Sequence, residues 1–140
     1  MIGIIIVSHG NFAEGMVSAA KMIYGDAAKQ VVAIGLKMEE SSEDFQIKIE
    51  EAIKSVDTGE GVVILADLLG GTPCNKAAAF ASDKVQIVTG VNLGMLLELL
   101  GIRQSASAGK IAVESLLDVA KNGMVDYNTL LKEDDTDEIV

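Results

Sequence analysis

The chain has 140 residues, the size of one ordinary domain. It is 49% hydrophobic but only 4% aromatic, so its core must be built from Ile, Val, Leu, Met and Ala, which suits a parallel sheet covered by helices. Eleven basic against 21 acidic side chains give a formal net charge of -10, which argues against nucleic acid and anionic membrane surfaces as partners, because both need a concentrated basic face.

The elements alternate along the chain. Ile2 to Val7 is a continuous β-branched run and reads as a buried strand. Phe12, Met16, Ala19, Ala20 and Ile23 recur at helical spacing, and Gly25 closes that helix. Gln30 to Leu36 is a second strand. Phe45, Ile49, Ala52, Ile53 and Val56 mark a second helix, with Ser41 or Ser42 as its cap. Glu43 and Asp44 stand in its first turn, where the helix dipole favours acids.

Gly61 to Ala66 is the third strand, and Thr72 to Ser82 an Ala-rich helix. Lys84 to Thr89 is the fourth strand, followed by a short apolar helix over Asn92 to Leu100. Val113, Leu116, Leu117 and Ala120 mark a last amphipathic helix ending near Gly123. Met124 to Leu131 reads as a final strand, and residues 132–140 as an acidic tail after a single domain of residues 1–131.

Strands alternating with helices predict a three-layer α/β domain with a mostly parallel sheet. The expected order is 2-1-3-4, with ligands at the switch between strands one and three. Such a domain should be cytoplasmic. Cys74 is alone, too few for a disulfide or a zinc site. Met1 to Ser8 lacks the basic start of a signal peptide, and no apolar run is long enough to span a bilayer. No metal and no cofactor are expected.

Three segments follow strands directly: Ser8-His9-Gly10-Asn11, Asp67-Leu68-Leu69-Gly70-Gly71-Thr72-Pro73 and Gly90-Val91-Asn92. If strands one and three are neighbours, His9 and Asp67 stand at equivalent positions and their side chains meet. Asn11, with Glu14 three residues on, resembles a capping box, and Thr72 followed by Pro73 resembles a helix start. Free N–H groups there, with Gly10 and Asn11 on one side and Gly71 and Thr72 on the other, would make a phosphate-sized site.

A neutral imidazole is nucleophilic near neutral pH, so His9, the only histidine, is the candidate phosphoryl acceptor. Asp67 is the candidate orienting carboxylate, on Nδ1, leaving Nε2 for phosphorus. Plainer readings exist for each residue: His9 as a loop residue, Asp67 as a loop anchor, Asn92 as a helix cap and Cys74 as a small buried residue. Phe12, Leu68 and Leu69 flank the site as an apolar collar, or Phe12 staples its helix.

The three segments together resemble the IIA component of the mannose class of the bacterial sugar phosphotransferase system. They are Ile5-Ile6-Val7-Ser8-His9-Gly10-Asn11-Phe12-Ala13-Glu14-Gly15, then Asp67 to Asn75, then Thr89-Gly90-Val91-Asn92-Leu93. The resemblance implies that His9 accepts a phosphoryl group from the carrier protein HPr and donates it to a separate IIB component, with the membrane components IIC and IID reached only indirectly. It implies that Asp67 hydrogen-bonds His9 and that Thr72 lies near the phosphoryl group. It also implies a homodimer that exchanges an antiparallel C-terminal edge strand. Gly94 departs from the proline that family members often carry there, which loosens that first turn.

The alternative within phosphotransfer is the phosphoryl-donor subunit of a dihydroxyacetone kinase. A receiver-like domain lacks its acidic pair, because Ser8-His9 stands after the first strand. A nucleotide-binding module lacks its glycine-rich fingerprint and Walker lysine.

Overall fold

The structure of the protein is a computed structural model describing residues 1–105 and 111–139, with side chains for 1–105 and 111–133. Strand β1 (Gly3–His9) leads into α1 (Phe12–Tyr24), and a 3-10 turn (Gly25–Ala28) leads into β2 (Val31–Leu36). Then follow α2 (Ser42–Val56), β3 (Val62–Ala66), α3 (Thr72–Ala78), β4 (Val85–Thr89), α4 (Leu93–Ser105), α5 (Val113–Asn122) and α6 (Tyr127–Ile139). The four strands form one parallel sheet in the order β2-β1-β3-β4, as the alternation of elements predicts.

Burial explains the β-branched runs. Central strands β1 and β3 are covered on both faces, so neither strand can alternate apolar with polar. Ile2, Ile4, Ile6, Val63 and Leu65 join Ala13 and Val17 of α1, Leu96 and Leu99 of α4 and Leu116 of α5 in one core cluster. Ile5, Val7, Ile64 and Ala66 join Phe45 and Ile49 of α2 and Ala77 of α3 in the other. Each fully buried Ile or Leu contributes about 2 kcal/mol.

Arg103 is buried in the last turn of α4. Its guanidinium donates to the carbonyls of Ile2 at 3.2 Å and Ala27 at 2.9 Å, and to that of Lys29. Burial lowers its pKa from the ordinary arginine value. The side chain ties α4 to the start of β1 and to the linker before β2.

The expected C-terminal strand does not form. Met124 to Asp126 have no regular structure, and α6 begins at Tyr127 and runs on across residues 131 and 132. Asp126 starts the helix. Its carbonyl accepts from the Leu130 N–H at 3.1 Å, Oδ1 from the Asn128 N–H at 3.2 Å, and Oδ2 from the Thr129 hydroxyl at 3.1 Å. Residues 124–133 are all exposed. The segment satisfies its backbone locally, as a helix.

Candidate functional site

In a parallel sheet the carboxyl ends of all strands lie together. His9 is the last residue of β1, paired with Leu36 of β2, so β1 runs two residues further than its apolar run suggests. Asp67 is the first residue after β3. The two are not at equivalent positions: Val7 stands opposite Ala66, which puts Ser8, not His9, level with Asp67. They meet nonetheless. Asp67 Oδ2 accepts the His9 backbone N–H at 2.9 Å and lies 2.7 Å from His9 Nδ1.

The exposures differ in a useful way. The His9 side chain is 51% exposed and that of Asp67 14%. Asp67 Oδ1 is buried and has no partner among the described residues, so His9 takes all of the carboxylate's hydrogen bonds there.

His9 projects to the same face as Ile5 and Val7, towards the start of α3. A Cβ on Gly71 would lie 2.9 Å from His9 Cε1 and 3.5 Å from Nε2. The backbone of Gly71 is ordinary (φ -77°), so space alone requires glycine there. Asn75 holds this loop, with Nδ2 donating to the Gly70 carbonyl at 3.2 Å and its N–H to that of Gly71 at 2.9 Å.

The expected caps differ. Asn11 makes no side-chain cap bond; the Ala13 N–H instead donates to the Ser8 hydroxyl at 2.8 Å. Gly71, not Thr72, is the N-cap of α3, so Thr72 is the first helical residue and Pro73 the second. The seven-residue α3 is a weaker anion site than the sequence suggests, because Pro73 has no N–H to offer. Of the expected phosphoryl-binding residues, Gly71 lies against the His9 ring and Thr72 follows it. The Gly10 N–H already donates to the Leu36 carbonyl at 2.8 Å, and Asn11 is exposed beside the turn.

The third loop is structural. The Val91 N–H donates to the Ala66 carbonyl at 3.0 Å. Asn92 caps α4, accepting from the Met95 N–H at 2.9 Å, and donates to the Ala120 carbonyl of α5 at 3.0 Å. This offsets the loosening expected from Gly94. Cys74 is buried in the first turn of α3. Phe12, Leu68 and Leu69, in the segments that follow His9 and Asp67, are exposed, which makes Phe12 available to a collar.

The capping role of Ser8 and the part of Gly35 in this turn were not legible. Ser8 stands in the segment expected to follow the first strand, and nothing local shows that Gly35 of β2 pairs with it. Met38 is fully exposed in the loop after β2. Among the described residues no group of three His, Cys, Asp or Glu could hold a metal ion. No helix of the described residues is long and apolar enough to cross a membrane.

The family described as "PTS system fructose IIA component" (EIIA-man) has a model that matches residues 3–116 of this chain. The chain belongs to that family. It is 34% identical over 106 residues to the "PTS system fructose-specific EIIA component" of Bacillus subtilis, covering 74% of this chain and 72% of that one. It is 30% identical over 125 residues to the "PTS system mannose-specific EIIAB component" of Escherichia coli, covering 88% of this chain but only 38% of that longer protein. The crystal structure of phosphotransferase system component EIIA from Streptococcus agalactiae superposes with a TM-score of 0.82 at 32% identity, covering 92% of this chain and 99% of that one. The protein is thus a IIA component of the mannose, fructose and sorbose class of the sugar phosphotransferase system.

Proposed function

We propose that this IIA component is a cytoplasmic phosphocarrier that accepts a phosphoryl group from phospho-HPr on His9 and donates it to a IIB component during sugar uptake. The observation that carries the reading is the 2.7 Å contact between His9 Nδ1 and Asp67 Oδ2 beside a half-exposed ring. A carboxylate there keeps the proton on Nδ1 and leaves the Nε2 lone pair free.

The chemistry follows. The Nε2 lone pair attacks phosphorus in line with the donor's P–N bond. One N–P bond forms as the other breaks, and the breaking pair returns to the donor imidazole. The Nδ1 proton stays on His9, where Asp67 balances the charge that develops on the ring. Transfer to IIB repeats the same exchange. Gly71 leaves room beside Nε2, and Thr72, next in the chain, supplies a hydroxyl to the arriving oxygens. Gly10 and Asn11 contribute through the turn they build.

Docking must keep water from the phosphorus. Phe12, Leu68 and Leu69, exposed in the segments that follow His9 and Asp67, are apolar residues suited to a partner protein. We read residues 1–131 as one phosphocarrier domain followed by an acidic tail. Two copies associate through the exposed apolar residues Met124, Val125, Tyr127, Leu130 and Leu131. IIC and IID are reached only through IIB.

The test is incubation with phosphoenolpyruvate, enzyme I and HPr, then mapping of the modified residue. One acid-labile, alkali-stable phosphoryl group on His9 is expected, and none on a folded His9→Ala variant. Full labelling of His9→Ala would refute the assignment.

A further inference from the structure

Among the described residues only two polar side chains are buried, Arg103 and Ser8. Arg103 ties down the linker before β2. Ser8 stands directly before His9, and its hydroxyl has two partners on opposite sides of the turn that carries the ring. It accepts the Ala13 N–H of α1 at 2.8 Å and donates to the His9 carbonyl at 3.1 Å. The Ala13 N–H is one of the donors that every helix start leaves unpaired, and Asn11, at the usual capping position, does not reach it.

The other side of the turn is built just as closely. Ser8 pairs in register with Gly35 of β2. A Cβ on Gly35 would overlap the Gly10 carbonyl oxygen, so the chain after His9 folds back over β2 only because Gly35 has no side chain. Gly10 itself adopts φ +54°, and its N–H is held by the Leu36 carbonyl at 2.8 Å. The His9 main chain is therefore held at its N–H by Asp67 and at its carbonyl by Ser8.

We propose that Ser8 is a positioning residue: its buried hydroxyl, with the gap left by Gly35, holds the His9 backbone so that Nε2 meets the incoming phosphorus in line. This rests on His9 being the phosphoryl acceptor. Asp67 fixes the rotation of the ring, but the place from which the ring swings is set by the main chain. Without the hydroxyl the turn relaxes away from α1, and a displacement of the nucleophile by a fraction of an ångström lowers the transfer rate.

Single-turnover transfer from phospho-HPr, thermal melting and the ring nitrogen resonances of His9 test this together. His9 is the sole histidine, so its imidazole signals need no assignment. Ser8→Ala is expected to slow transfer about tenfold, to shift the Nδ1–H resonance shared with Asp67, and to leave a cooperative melt. Ser8→Thr keeps the hydroxyl and should restore the resonance and most of the rate. Gly35→Ala, which pushes on the same turn from β2, should shift the same resonance even if Ser8→Thr folds poorly. A lower melting point with rate and resonance unchanged would make Ser8 a helix cap only and overturn the proposal. If the wild type takes no phosphoryl group on His9, the functional reading fails. The resonances then decide positioning alone: a shift in Ser8→Ala supports it, and an unmoved signal overturns it.

Discussion

Asp67 holds His9 twice with one oxygen: Oδ2 accepts the backbone N–H at 2.9 Å and faces ring Nδ1 at 2.7 Å. A single carboxylate oxygen thus couples the place of the main chain to the rotation and tautomer of the ring. The sheet brings this about, since Asp67 begins where β3 ends beside β1.

Replacing Asp67 by Asn should keep the fold, because an amide oxygen still accepts the His9 N–H. The ring then loses the charge that holds its proton on Nδ1. Transfer from phospho-HPr should slow about a hundredfold. The ring 15N shifts should move towards a mixture of tautomers. Unchanged shifts and an unchanged rate would remove Asp67 from the mechanism.

Leu69 is 78% exposed, so the core does not depend on it. Leu69→Asp should change stability by no more than about 0.5 kcal/mol. If Leu69 belongs to the docking rim, binding of HPr or IIB should weaken about tenfold. Titration calorimetry against each partner checks this, and unaltered affinity for both would take Leu69 out of the rim.

Arg103 serves the opposite end of the sheet from His9. Arg103→Met fills much of the same volume but leaves the carbonyls of Ile2, Ala27 and Lys29 without their donor. The expected loss is about 3 kcal/mol in urea unfolding, the scale of bonds to a buried charged donor. Labelling of His9 in the folded fraction should be unchanged. A loss below about 0.5 kcal/mol would show that water replaces the guanidinium at no cost.

The C-terminal segment separates assembly from chemistry. Ending the chain after Gly123 keeps the Gly123 N–H on the Val119 carbonyl at 3.2 Å, so α5 retains its last turn. Residues 124–133 are exposed in the single chain, so their removal should lower the melting temperature only by the part that association contributes, and the shortened chain should melt at a temperature independent of protein concentration. Sedimentation should show a dimer for the full chain and a monomer for the shortened one. A monomeric full chain would sink the dimer and leave phosphotransfer on His9 untouched.

The sequence by itself determined the layers. A run such as Ile4-Ile5-Ile6-Val7 has no polar face to give to water, so it must lie inside a sheet covered on both sides. The helices declared themselves by spacing, as Phe45, Ile49, Ala52 and Val56 do on the buried side of α2. The meeting of His9 with Asp67 was legible as far as the common doubly wound order sets strand three beside strand one, although His9 closes β1 and Asp67 lies one residue past β3.

Only the tertiary structure decided what depends on register and on local capping. Gly35 is an unremarked strand residue until β2 pairs with β1 and sets it beside Ser8, where the Gly10 carbonyl needs the space of a missing Cβ. Ser8 takes the capping role from Asn11 because its hydroxyl reaches Ala13 across the turn, a distance that sequence spacing does not encode. Val125, Tyr127 and Thr129 have the residue types of a strand, yet a strand exists only where another edge accepts its hydrogen bonds. Here the segment closes its bonds on itself, because Asp126 accepts from Asn128 and Thr129 and starts a helix.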